Sequence, residues 1–206
     1  MKVKLLILGL ALLCFATYAS ASSFSQCPAV GNDTSGCELL ITVTAVNSAG
    51  AATAFTVTTA SPDQGPFDGV EDTLIGIQNN SGSTLTAVTV TGPAGTFGFD
   101  GDGACSGGYS LEPTLTQCGL TAYTFSDPSD YESAGATFSN INLNQSTGTI
   151  NVDLANGAST WFDLEGHIGA SQITPSGPTV TPEPTTLLLF GTGLAALATR
   201  LRKKLS

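Results

Sequence analysis

The chain has 206 residues and a formal net charge of −10, from 16 Asp and Glu against 6 Lys and Arg. All the cations lie at the ends, Lys2 and Lys4 at one and Arg200, Arg202, Lys203 and Lys204 at the other, so residues 22–181 carry only acidic charge. Such a body repels phosphate backbones, which excludes nucleic acid as a partner, and it can form no internal Lys or Arg salt bridge.

Lys2 and Lys4 precede an apolar run from Leu5 to Phe15, and Ala19-Ser20-Ala21 then places small residues at the positions signal peptidase reads. This is the three-part pattern of a secretory signal peptide over residues 1–21, with cleavage expected after Ala21. The apolar run is about half of what a membrane span needs. Cleavage removes Cys14 and leaves Cys27, Cys37, Cys105 and Cys118. An even number of cysteines in an exported chain points to disulfides. Three pairings can be drawn, and sequence proximity favours Cys27–Cys37 with Cys105–Cys118. No C-x-x-C pair occurs and the single histidine, His167, is remote, which argues against zinc.

From residue 22 to 172 strand signals recur between turn residues. Leu39–Val46 alternates, with Leu39, Ile41, Val43 and Ala45 on one side, and Phe55 and Val57 share a face of the next strand. The segments 74–78 and 85–91 flank Asn79-Asn80-Ser81-Gly82, which reads as a hairpin turn. Segments 137–142, 149–154 and 159–165 follow. The Thr-rich alternation favours strand over helix throughout. These elements predict an all-β fold: a single antiparallel β-sandwich of immunoglobulin-like type.

Three groups in this body are candidates for chemistry. Asp100-Gly-Asp102-Gly, with Asp68 and Glu71-Asp72 elsewhere, could supply oxygens to calcium, which takes six to eight. An EF-hand loop would need a ligand where Ala104 stands, and a solvated Asp/Gly loop accounts for the segment, so the leading expectation is no cofactor. Asp163 and Glu165 fall on one face of a strand with Trp161, a spacing compatible with a glycosidase pair or with sugar stacking. Exposed acids on the outer face of an alternating strand, with Phe162 and Leu164 inside, explain that pattern more simply. His167 has no G-x-S-x-G nucleophile elbow ahead of it and reads as a surface residue. No enzyme activity is expected.

Residues 173–184 turn rich in Thr, Pro, Gly and Ser, the composition of an extended linker. Pro182-Glu183-Pro184 then precedes a short apolar segment, 185–199, and a basic end, 200–206. The basic cluster Arg200, Arg202, Lys203 and Lys204 stays cytoplasmic, which makes the segment a membrane stop with the body outside. Gly191-Thr-Gly193-Leu-Ala-Ala196 fits a loose dinucleotide fingerprint, but the chain ends ten residues later, too soon for the βαβ unit such a fingerprint needs.

In order and position this tail resembles the PEP-CTERM sorting signal of Gram-negative bacteria. The resemblance implies recognition by exosortase, a membrane-embedded cysteine protease that cuts near the tripeptide, and an association with exopolysaccharide production. Asp68-Gly-Val-Glu71-Asp72 and the residues after it also look like a segment recurring in PEP-CTERM proteins, without implying an activity. The expectation is therefore an exported protein, anchored transiently in the inner membrane and delivered to the cell surface or matrix. Its partners would be signal peptidase, exosortase and extracellular polysaccharide. Its β-domain would be structural or adhesive, or alternatively a calcium- or carbohydrate-binding module.

Overall fold

The computed structural model describes residues 23–123 and 128–175. The signal peptide, with Ala19 and Ala21, and the Pro182-Glu183-Pro184 tail with its basic cluster lie outside the described residues. Among the described residues no helix is long and apolar enough to cross a membrane.

Eight strands occur in the described residues: β1 (Leu39–Val46), β2 (Ala52–Thr59), β3 (Thr73–Asn79), β4 (Leu85–Thr91), β5 (Ala136–Ser139), β6 (Thr147–Leu154), β7 (Ser159–Leu164) and β8 (Thr174–Pro175). They form two four-stranded sheets, ordered β2-β1-β3-β7 and β5-β6-β4-β8. The protein is thus mostly β, in a sandwich-like arrangement. Alternation builds the shared core. Leu39, Ile41 and Val43 of β1, Ile75 and Ile77 of β3, and Phe162 and Leu164 of β7 meet Val88 and Val90 of β4 and Ile150 of β6, all fully buried. The last strand carries the second sheet on to Pro175, into the segment expected to be linker, and Ile173 just before it is buried.

Two pairings differ from the sequence expectation. β1 and β3 run parallel, with Leu39 beside Ile75 and Val43 beside Asn79, so the structure corrects the wholly antiparallel sandwich. A parallel neighbour lets β3 sit between β1 and β7 at the centre of the first sheet. The Asn79–Gly82 segment is not a hairpin turn either, because β3 and β4 belong to different sheets and the segment crosses between them. Asn79 holds this crossing from inside. It is fully buried, and its Nδ2 donates to the carbonyls of Ser83 and Leu154, both at 2.8 Å.

A second apolar cluster covers the other face of the first sheet. Phe24, Cys27, Val30, Cys37, Phe67, Cys105 and Cys118 pack onto Leu74 of β3 and Trp161 of β7. The disulfides Cys27–Cys37 and Cys105–Cys118 run through this layer, in the pairing that proximity favours. Cys118 is delivered by a one-turn helix, α1 (Leu115–Cys118), started by a Thr114–Gln117 capping box and ended by Gly119 in the left-handed region. β3 is therefore buried on both faces, and its mid-strand Gly76 has a packing reason. A Cβ there would meet Cys37 Sγ at 2.6 Å.

Candidate functional site

The strand alternation that aims Leu74 at the covered face also aims Asp72 there. On β7 the same parity aims Trp161, Asp163 and Glu165 to that side, and Leu74 pairs directly with Asp163. Two loops close over this end of the sheet: 66–72, which leads into β3, and 99–105, which ends at a disulfide cysteine. Between them stand six carboxyl groups in two triads. Asp68, Asp72 and Asp102 form one and Glu71, Asp100 and Glu165 the other, with the ligand-capable atoms of each triad within 4.8 Å of one another.

The loops are pinned by the acids themselves. Asp68 Oδ1 accepts from the backbone N–H of Val70, Glu71 and Asp72, each at 3.0 Å. Asp163 Oδ2 accepts from the Ala104 N–H at 3.0 Å. Tyr131 is fully buried, its ring tilted against that of Phe99 with centroids 4.6 Å apart, and its hydroxyl lies 2.8 Å from Asp102 Oδ1, 2.8 Å from Glu165 Oε2 and 3.2 Å from Asp100 Oδ1. A phenol has one proton to donate, so it satisfies one of these three carboxylates at a time. The Tyr109 hydroxyl donates to the Asp102 carbonyl.

Asp72 and Asp163 are both at 0 % exposure. Neither oxygen of Asp72, nor Asp163 Oδ1, meets a hydrogen-bond donor among the described residues. Burial therefore pushes the Asp72 carboxyl up to about 10, reinforced by the charges of Asp163, Glu165 and Asp102. It raises Asp163 well above the carboxylate range too, against the Ala104 hydrogen bond, which lowers it. Asp102 and Glu165 are also raised, mainly by burial, although the Tyr131 hydroxyl lowers both. With no Lys or Arg in the body, these groups can be neutralised only by protons or by a cation from solution.

The structure thus joins the two acidic segments that the sequence left apart, and it adds Glu165. Asp100 and Asp102 fall in different triads, and the Tyr131 hydroxyl, within reach of both, bridges the two groups. Asp163 and Trp161 do not lie on an exposed face. Trp161 is 6 % exposed and packed among the disulfide layer, so it offers no platform for a sugar ring, and buried Asp163 has no access to a glycosidic bond. His167 is half exposed, and its Nδ1 lies 3.3 Å from Oε1 of buried Glu38. No sequence motif singles out Glu38, Asp33 or Tyr131. A continuous apolar β3 with a central glycine was the available sign that this face is covered.

A cleft of about 350 Å³ opens beside the second triad, lined by Glu71, Glu165 and His167 and by the Pro93–Thr96 turn.

Comparison with known proteins finds the PEP-CTERM protein-sorting motif at residues 180–203. No curated protein and no solved structure matches the chain. The tail thus carries a sorting signal of known class, and the β-domain is placed by its own geometry alone.

Proposed function

We propose that this chain is an exported protein that an exosortase processes at its Pro182-Glu183-Pro184 tail, and that its β-domain serves a structural or adhesive role at the cell surface or in the extracellular matrix. The observation that carries this reading is the sorting motif at 180–203. The N-terminal pattern ending at Ala19 and Ala21 supports export by signal peptidase, and the basic cluster supports a transient halt in the inner membrane. The disulfides Cys27–Cys37 and Cys105–Cys118 support an oxidising destination. Two four-stranded sheets around one core support the immunoglobulin-like class expected for the domain.

A non-enzymatic role is supported by the burial of Asp163 and by the pairing of His167 with Glu38, an acid below the surface rather than a nucleophile. Extracellular polysaccharide stays part of the proposal as a surface partner, without Trp161 as its contact.

Intact-mass measurement of the protein recovered from culture supernatant and from the cell envelope tests the route. The expected product lacks residues 1–21 and the residues after the Pro-Glu-Pro tripeptide, and the second cut disappears in a strain without exosortase. A product that keeps Ala21 and everything beyond Pro184 overturns it.

A further inference from the structure

We propose that Asp68, Asp72 and Asp102 bind one divalent cation, calcium by its chemistry, and that the ion fastens the disulfide-bearing loop 99–105 to the loop 66–72 over the outer face of the first sheet. The inference concerns the domain itself and does not rest on the sorting route.

The geometry is that of an oxygen shell. Ca²⁺–oxygen distances of about 2.3–2.6 Å put ligands at most about 5 Å apart across the ion, and the three carboxylates lie within 4.8 Å of one another. Asp72 is the observation that points to a ligand. It is fully buried, both its oxygens lack a donor among the described residues, and it belongs to this triad. An ionised carboxylate in that position is tolerated only beside a positive charge, and the body supplies no Lys or Arg. Asp68 is oriented by three backbone N–H groups on a single oxygen, which holds the loop in place before any ion arrives. Asp102 is exposed and gives the ion its way in from solvent.

The donor set selects the cation. All donors are carboxylate oxygens; the cysteines nearby are oxidised to disulfides, and His167 belongs to neither triad. That favours a hard ion over zinc or copper. Three carboxylates converging on one point exceed the one or two that Mg²⁺ usually takes, and suit the larger, less regular shell of Ca²⁺. The second triad, Glu71, Asp100 and Glu165, has similar spacing, but Glu71 and Asp100 are exposed and the triad holds no fully buried, donorless carboxylate such as Asp72, so it serves as the comparison in the test.

The consequence is mechanical. Asp68 and Asp72 lead into β3, whereas Asp102 precedes Cys105 of the second disulfide. One ion there cross-links the two loops that close over the sheet, in the position where an internal salt bridge is ruled out by composition.

The test uses the full chain in detergent, stripped with EDTA and titrated with CaCl₂ by calorimetry and thermal melting. One Ca²⁺ per chain is expected, with Tm rising roughly 3–6 °C at tenfold excess over Kd. Asp72→Asn removes the bound charge but keeps the shape, so it is expected to fold and to lose the calcium-dependent rise. Should that buried variant fail to fold, Asp102→Asn at the exposed ligand decides instead, with an affinity at least about tenfold weaker. Glu71→Gln in the neighbouring triad is expected to leave the rise in place. Absence of heat and of any Tm change in the parent chain overturns the proposal. So does a rise that survives both Asp72→Asn and Asp102→Asn, or one lost in Glu71→Gln and kept in Asp102→Asn, which places the ion in the other triad.

Discussion

On the sheet β5-β6-β4-β8 the positions turned away from the core carry Thr89, Thr149, Thr147 and Asn151. Their side chains bond across the strands there, as in the Thr89–Thr149 hydroxyl pair at 3.1 Å. On the sheet β2-β1-β3-β7 the corresponding positions of β3 and β7 carry Leu74, Gly76, Trp161 and Asp163, and a layer of loops covers them. One sheet meets water through polar pairs; the other is sealed by two disulfides and an aromatic cluster. The difference shows where an acidic chain puts its unusual groups. Asp33, Glu38, Asp72 and Asp163, all nearly or fully buried, belong to the sealed side. A buried carboxyl has meaning for function only where a second layer keeps water out.

Trp161→Ala is the strongest way to break the contrast. Emptying a buried tryptophan site between sheet and loops is expected to cost about 3–5 kcal/mol in urea unfolding. A loss below about 1 kcal/mol would show that the layer does not bear on the sheet.

Removing the second disulfide with Cys105→Ser and Cys118→Ser together is expected to cost about 3 kcal/mol in the chain-entropy account, read from the same denaturant curves. The protease sensitivity that follows should centre on the loops near residues 99–123 and spare β4 and β6. Cleavage appearing first in the second sheet would contradict the two-layer picture.

The acids of the sealed side give a pH signature. Burial, with the charges of Asp33 and Asp63, raises Glu38 from 4.5 to about 8, and burial with Asp63 raises Asp33 from 3.8 to about 7. Both folded values stand above the unfolded ones, so the native state holds the extra protons. Stability is full below the unfolded values and is lost as pH rises toward 7–8, by about 1.4 kcal/mol per pH unit for each group. Glu38→Gln is expected to flatten that slope between pH 5 and 8, although it also removes the His167 contact. A denaturation midpoint in EDTA that stays level or climbs over this range would refute the assignment.

Thr149→Ala, on the open sheet, completes the series. Loss of its cross-strand hydroxyl pair with Thr89 is expected to cost under about 1 kcal/mol. An effect as large as that of Trp161→Ala would erase the distinction between the sheets.

Much of the framework was legible in the chain. The alternation of Leu39, Ile41 and Val43 gives β1 its inward face, Phe55 and Val57 do the same for β2, and short spacing gives both disulfides. The tail was legible too, because a sorting signal is read from residue order, and Pro182-Glu183-Pro184 with Arg200, Arg202 and Lys203 falls within the matched motif. The acidic site was legible only in part. Asp100-Gly-Asp102 and Asp68 with Glu71-Asp72 stand out in the sequence as oxygen-rich segments, but alternation alone puts Asp163 and Glu165 on an exposed face. Period-two reasoning assigns an outer face to water unless something covers it. Here the cover is made of loops around Phe24, Phe67, Cys105 and Cys118, which have no periodicity to read.

The sequence by itself determined the all-β character, the inward faces, the disulfide pairing favoured by short loops and the address carried by the tail. Each follows from local pattern: side-chain alternation, loop length or the order of a motif. Only the tertiary structure decided that β3 lies parallel to β1, that residues 79–82 cross between sheets, and that Asp68, Asp72 and Asp102 converge. Those outcomes depend on which distant segments pack together, and packing is a property of surfaces that exist only once the strands have formed.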